Sequence, residues 1–260
     1  MANELAGKVA FVTGAARGIG KAIALAFAAE GARLAITARS EIELNAVAAE
    51  ARGIGVEAIA LPGDLTDRAT PSRLVREVEA ALGPVEILVN NAALVSAYSP
   101  QPVASFDDEY WETSLVLNLT APYLLSKAAL ASMMERKWGR IINIASTASR
   151  TGSLHGAAYA ATKHGLLGLT RTLALELVTD GITVNAICPG PVRTDVNDLR
   201  LRYDAGRLGR SFEEHEKTVT PMGRRVEPEE VAWMAVYLAS TRASAITGQA
   251  YNIDCGQVMS

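Results

Sequence analysis

Short, wholly apolar runs alternate with longer stretches in which apolar residues recur every three or four positions. Val9-Ala10-Phe11-Val12 is the first such run. Apolar runs without strict polar alternation mark strands covered on both faces. Comparable runs predict strands at 9–12, 33–37, 56–61, 87–90, 139–144, 183–187 and 250–253. Helical periodicity predicts helices near 19–30, 41–51, 70–82, 108–132, 158–179 and 228–240. Strands that alternate with helices predict an α/β fold, a mostly parallel sheet of seven strands with helices on both faces. No linker, repeat, low-complexity segment or composition shift divides the 260 residues, which read as one domain spanning 1–260. In such folds ligands bind beyond the carboxyl ends of the strands. Gly14, Asp64, Asn91, Ser146 and Pro189 each follow a predicted strand, so they are expected to converge on one edge of the sheet.

Composition narrows the function classes. A hydrophobic content of 49% supports a substantial core, and a net charge of −3 gives no electrostatic reason for nucleic acid as a partner. The two cysteines, Cys188 and Cys255, lack metal-type spacing; they read as free thiols of a cytosolic protein, with a disulfide as the open alternative. Residues 1–7 carry neither the basic nor the apolar region of a secretory signal, and no uninterrupted apolar stretch reaches the length of a membrane span. The expectation is a soluble, cytoplasmic protein with no membrane partner and no metal.

Candidate chemistry sits in two places. The first strand runs into Thr13-Gly14-Ala15-Ala16-Arg17-Gly18-Ile19-Gly20, and a helix follows. Strand, glycine-rich turn and helix in that order make a phosphate cradle. Glycines let backbone approach a pyrophosphate, and the helix N-terminus supplies N–H groups and a favourable dipole. The spacing Gly-x-x-x-Gly-x-Gly departs from the general dinucleotide fingerprint. The second place is Tyr159-Ala160-Ala161-Thr162-Lys163, with Ser146 upstream. Residues four apart share a helix face, which sets an ammonium beside a phenol. An unperturbed phenol titrates near ~10, so a fixed positive charge is one means of making it a useful acid or base at neutral pH. Taken alone, the pair also fits a surface tyrosine and a solvated lysine.

Together these motifs resemble the short-chain dehydrogenase/reductase family, in its compact single-domain, 3-oxoacyl reductase-like branch. Further matches are Asp64, Asn90-Asn91-Ala92, Asn118, Ser146, and Pro189-Gly190 followed by Val192 and Thr194. The resemblance covers about residues 7–256. One departure is Ala93, where the family usually has glycine; its methyl narrows the space beside the nicotinamide or substrate. The resemblance implies a Rossmann-type doubly wound fold and an NAD(P)-dependent oxidoreductase interconverting a ketone and a secondary alcohol. It implies Tyr159 as general acid or base, Lys163 as the residue lowering its pKa and holding the nicotinamide ribose, and Ser146 as the group orienting the substrate oxygen. Asn118 would position a water linking Lys163 to solvent. Gly14, Arg17, Gly18, Ile19, Gly20, Arg39, Asp64, Leu65, Asn91, Ala92, Pro189, Gly190, Val192 and Thr194 would contact the cofactor. For Asp64 the adenine role stands beside a plain helix cap, and for Asn91 a role steadying the sheet stands beside simple turn formation. A buried helix asparagine and a loop serine are the ordinary alternatives for Asn118 and Ser146.

The second predicted strand ends in Thr37-Ala38-Arg39, where an NAD enzyme usually carries a carboxylate for the ribose hydroxyls. A guanidinium pairs with the 2′-phosphate of NADP instead, and Arg17 is a second cation for it. NADP is therefore expected, with NAD as the alternative. Arg39 merely stacked on adenine is the competing reading, and Glu41 is assigned to the next helix. For the substrate, Ala93, Leu94, Val95, Thr147, Ala148, His155 and Pro191 are pocket candidates, with His155 also readable as an ordinary loop histidine. The stretch near 193–217 matches the family's lid. Its arginines suit either an anionic substrate or a solvated helix balanced by nearby carboxylates. A homotetramer is expected, with a dimer second. The competing functions are an NAD-dependent dehydrogenase of a secondary alcohol, sterol or sugar, and a cofactor-sensing regulator without turnover. Such regulators commonly lose the tyrosine or lysine, and both are present here. A family enoyl reductase would place the lysine farther from the tyrosine.

Overall fold

A computed structural model describes residues 3–259. The first strand, β1 (Val9–Thr13), is buried along its whole length and lies inside the sheet. β2 (Arg33–Thr37) and β3 (Ala58–Ala60) extend the sheet on one side. β4 (Ile87–Asn90), β5 (Gly139–Ile144), β6 (Ile182–Pro189) and β7 (Ala250–Ile253) extend it on the other. The order is β3-β2-β1-β4-β5-β6-β7, and every pairing is parallel. The mostly parallel sheet expected from the sequence is thus wholly parallel. Chain direction across the sheet reverses between β1 and β4, which opens a crevice at their carboxyl ends.

Helices α1 (Gly18–Ala29), α2 (Glu41–Ile54) and α9 (Pro228–Ala239) cover one face. Their apolar stripes supply Ile23, Phe27, Leu44, Val47, Val231 and Leu238 to one core. Helices α3 (Thr70–Leu82), α5 (Ala121–Arg136) and α6 (Ala157–Leu177) cover the other, with Leu74, Val78, Leu125, Met133, Leu173 and Leu177. A fully buried leucine or phenylalanine contributes ~1.5–3 kcal/mol relative to exposure, so both faces of the sheet are anchored independently.

Three differences from the sequence-based elements bear on function. The helix expected over 108–132 is α4 (Asp108–Leu115) joined to α5 through a widened π turn, Val116–Thr120, which contains Asn118. Two helices absent from the periodicity reading, α7 (Asp195–Arg207) and α8 (Phe212–Glu216), occupy the stretch after β6. The continuous helical stretch Asp108–Arg136 is long and apolar enough by composition to cross a bilayer, contrary to the sequence reading. In the fold its Ala121, Leu125, Ala129 and Met133 pack into the core instead. Cys188 and Cys255 are free and buried, as the sequence suggested.

Candidate active site

Gly14 lies at φ +64° and Gly18 at φ +55°, backbone conformations that favour glycine. Gly20 is held by proximity rather than by φ: a Cβ there would stand 2.2 Å from the Gly14 carbonyl oxygen and 2.5 Å from Asn91 Nδ2. The three glycines therefore close the turn against the mouth of β1. Helix α1 begins at Gly18 with no side-chain cap and no acidic residue in its first turn. Its leading N–H groups are left for an incoming anion, and the helix dipole favours one. Asn91 fastens this turn to the sheet, donating from Nδ2 to the Thr13 and Gly14 carbonyls at 2.9 and 3.1 Å. That is the steadying role, achieved through a turn residue, so both readings of Asn91 hold.

Asp64 resolves in a similar way. One carboxylate oxygen accepts from Thr66 N and Thr66 Oγ1 at 2.9 and 2.7 Å. The backbone hydrogen bond from Thr66 is the main reason its carboxyl is held below the usual carboxylate range, and Arg39 adds to it. Asp67, not Asp64, serves the entry to α3, through Ala69 N and Thr70 Oγ1. Asp64 itself lines the cleft. Arg39 and Arg17 are exposed on the same wall, and Arg17 Nη2 donates to the Tyr98 hydroxyl at 3.3 Å across the cleft. Glu41 does fall in the first turn of α2.

The catalytic candidates meet at the carboxyl ends of β5 and β6. Ser146 caps the short turn Thr147–Ser149, its Oγ accepting from Ala148 N at 3.1 Å. Tyr159 and Lys163 lie one turn apart on α6, with Nζ 5.6 Å from the ring centroid. Lys163 is only 2% exposed and donates to the Ile144 carbonyl oxygen at 2.7 Å. Burial pulls its pKa down to about 8. Burial also pushes the Tyr159 phenol above its ordinary value, with a Ser146 hydrogen bond acting against it. Desolvation is the largest influence on both groups. The consequence is a neutral, proton-bearing phenol at physiological pH.

One cleft of ≈ 1210 Å³ is lined by Gly14, Arg17, Gly18, Ile19, Gly20, Arg39, Asp64, Leu65, Asn91, Ala92, Ser146, Ala148, Tyr159, Lys163, Pro189, Gly190, Val192 and Thr194. Ala93 lies there too. Val192 is pinned by a parallel bridge to Val226, and Thr194 caps α7 through Asn197 N at 3.3 Å. Two expected site residues stand apart. Asn118 is fully buried, and its amide is engaged by the backbone N–H and carbonyl of Leu94, at 2.7 and 2.8 Å, and by Thr162 Oγ1 at 3.1 Å. Its side chain straps the loop after β4 to α6. His155, expected at the pocket border, does not line the cleft; its Nδ1 and the Tyr203 hydroxyl form a 2.6 Å hydrogen bond behind the wall.

The sequence reading missed Ser96, Tyr98, Gln257 and Val258, all of which line the cleft. Gln257 arrives because Cys255 and Gly256 take left-handed backbone at φ +53° and +81°, while the Asp254 carboxylate accepts from Gly256 N and Val258 N at 3.0 and 2.8 Å. An aspartate followed two residues later by glycine, after the last strand, was the available signal.

The cradle fits a dinucleotide on its geometry alone: glycine backbone that admits no Cβ, an uncapped helix start, and a cleft that continues to Ser146 and Tyr159. The chain is also similar to known proteins along nearly its full length. A family profile described as enoyl-(acyl carrier protein) reductase matches residues 14–257. A 3-oxoacyl-[acyl-carrier-protein] reductase of Synechocystis is 38% identical over 259 residues, covering 99% of each chain. A galactitol 2-dehydrogenase of Agrobacterium fabrum is 38% identical over 262 residues, covering 99% of this chain and 100% of that one. The crystal structure of a single-substitution variant of actinorhodin polyketide ketoreductase with NADPH superposes with a TM-score of 0.90 at 40% identity, covering 99% of both chains. Sequence, fold and glycine cradle agree: this chain belongs to the short-chain dehydrogenase/reductase family and is an NAD(P)-dependent oxidoreductase acting on CH–OH groups.

Proposed function

We propose that this enzyme reduces the ketone of a 3-oxoacyl group, or a similar ketone, with NADPH, and runs in reverse as an alcohol dehydrogenase. The observation that carries this is the convergence of Ser146, a protonated Tyr159 and a buried Lys163 in the cleft that also holds the glycine cradle. Similarity to 3-oxoacyl and polyketide ketoreductases supports the substrate class. The cofactor, when bound, supplies the hydride. The protein's part is to hold and neutralise charge. Negative charge grows on the carbonyl oxygen, the Ser146 and Tyr159 hydroxyls meet it, and Tyr159 passes its proton to it. Lys163 then stabilises the phenolate left behind. An assay panel of 3-oxoacyl thioesters, simple ketones, sugars and sterols with NADPH and NADH tests the assignment. Turnover confined to sugars with NAD⁺ would replace it with the polyol dehydrogenase reading that the galactitol enzyme represents. The profile's description points to enoyl reduction. Against that, the lysine here stands only four residues after the tyrosine, so a 2-enoyl thioester in the same panel is expected to be inert.

The NADP preference is proposed to rest on Arg39 and Arg17. Both are exposed on the cofactor wall, and β2 ends without a carboxylate. Arg39→Asp removes a charge-assisted partner and adds a repulsive charge. It is expected to weaken NADPH binding by about 10- to 100-fold and NADH binding little. Fluorescence titration of both cofactors checks this, and unchanged NADPH affinity would end the argument.

Residues 1–260 are proposed to form one cofactor-binding domain with α7 and α8, near 193–217, as the substrate lid. A cytoplasmic homotetramer is proposed as the working form. Exposed Trp233 and Tyr237, one turn apart on α9, and exposed Leu175 and Val178 at the end of α6 support association, which light scattering would measure.

A further inference from the structure

Arg200 on α7 lines the same cleft as Ser146 and Tyr159, and it is firmly fixed in that wall. Its Nε donates to Asp204 Oδ2 at 2.7 Å, and Nη2 donates to Asp204 Oδ1 at 3.3 Å and to the Leu154 carbonyl at 2.7 Å. Nη1 reaches only Ser96 Oγ among the described residues, at 3.4 Å. The side chain is 16% exposed. A guanidinium has five N–H donors in a rigid fork. Asp204 and Leu154 hold Nε and Nη2 in place; Nη1 keeps one N–H without a partner among the described residues and a second in a long, exchangeable bond. A rigidly oriented donor with spare capacity, set in a substrate cleft, is a pre-paid binding group, because little side-chain entropy remains to be lost when a ligand oxygen reaches it.

We propose that Arg200 Nη1 is a specificity determinant that binds a second substrate oxygen, the acyl carbonyl two carbons from the reacting ketone. This rests on the 3-oxoacyl reading above and extends it. Ser146 and Tyr159 take the ketone oxygen; Arg200 takes the acyl oxygen and so fixes which face of the ketone the substrate turns to the cofactor. Asp204 already engages the guanidinium through both carboxylate oxygens, which suits a neutral thioester carbonyl as the incoming acceptor.

The test compares two probes, acetoacetyl-N-acetylcysteamine thioester and cyclohexanone, which lacks the second oxygen. Arg200→Gln and Arg200→Lys are assayed against both with NADPH. A charge-assisted bond to substrate predicts that Arg200→Gln lowers kcat/KM for the thioester by about 10- to 100-fold more than for cyclohexanone. Arg200→Lys is expected to recover part of that difference. Equal losses on both probes would show that Arg200 only fastens α7 to the Ser96 and Leu154 loops, and would overturn the proposal, as would no loss on either. Failure of the underlying reading looks different. The parent enzyme would then itself show no preference for the thioester over cyclohexanone, and the Arg200 assignment would fall with it.

Discussion

Replacing Tyr159 by Phe is expected to lower kcat about 10²- to 10⁴-fold, the usual worth of a positioned general acid, while NADPH still binds. Phenylalanine keeps the ring packed between α6 and the cleft and removes only the proton donor, so the loss reports proton transfer and not folding. Burial raises the phenol's pKa, which gives the effect a direction in pH. A raised pKa keeps the proton on Tyr159 through neutral pH, so ketone reduction begins with the acid loaded. Alcohol oxidation needs the phenolate, and its rate is expected to climb as pH rises, whereas reduction holds level and declines only at alkaline pH. Steady-state rates in both directions, for parent and variant, measure this. Full activity in the Phe variant, or oxidation that is fastest in acid, would remove Tyr159 from the proton's path.

The parts of this site that could be read from the sequence are those built by local geometry. Gly14, Gly18 and Gly20 are legible because a tight strand-to-helix turn needs positive φ at Gly14 and Gly18 and brings Gly20 against the Gly14 carbonyl, constraints written within a few neighbouring positions. Tyr159 and Lys163 are legible because a helix puts them on one face. The Lys163 environment is not, since its partner, the Ile144 carbonyl, sits at the end of β5 and outside the helix. The side-chain partners of Asn118, Leu94 and Thr162, were not legible, because they come from two other segments. Helix α7 was invisible to apolar periodicity because only Leu201 and Ala205 are buried along it, too few for an apolar stripe. Its cap was readable nonetheless, in Thr194 with Asp195 and Asp198 in the first turn. Arg200 and Gln257 depend on loops that meet only in the folded state, and no short-range spacing records such meetings.

Lys163→Met is expected to separate stability from activity. Among the described residues the buried ammonium has no carboxylate partner, and the Ile144 carbonyl accepts its hydrogen bond. Lowering its pKa from 10.5 to about 8 means that the folded chain holds this proton less tightly than the unfolded chain does. Below pH 8 both states carry the charge and the folded state bears the whole penalty, about 3 kcal/mol. Between about 8 and 10.5 the unfolded chain binds more protons, so stability rises with pH, and above that range the penalty is gone. Methionine fills a similar volume without the charge but leaves the Ile144 oxygen unsatisfied, which costs ~1 kcal/mol or more. The net gain at pH 7 is therefore ~2 kcal/mol, a rise in Tm of ~4–8 °C for a chain of this size. Turnover should fall by ~10²-fold or more, because the Tyr159 phenolate then loses its neighbouring positive charge. Thermal melts at pH 7 and pH 10 should show the stability advantage shrinking as pH rises. An inactive variant with no added stability would mean that the folded site already compensates the ammonium. A stabilised variant with full turnover would mean that Lys163 takes no part in the proton transfer.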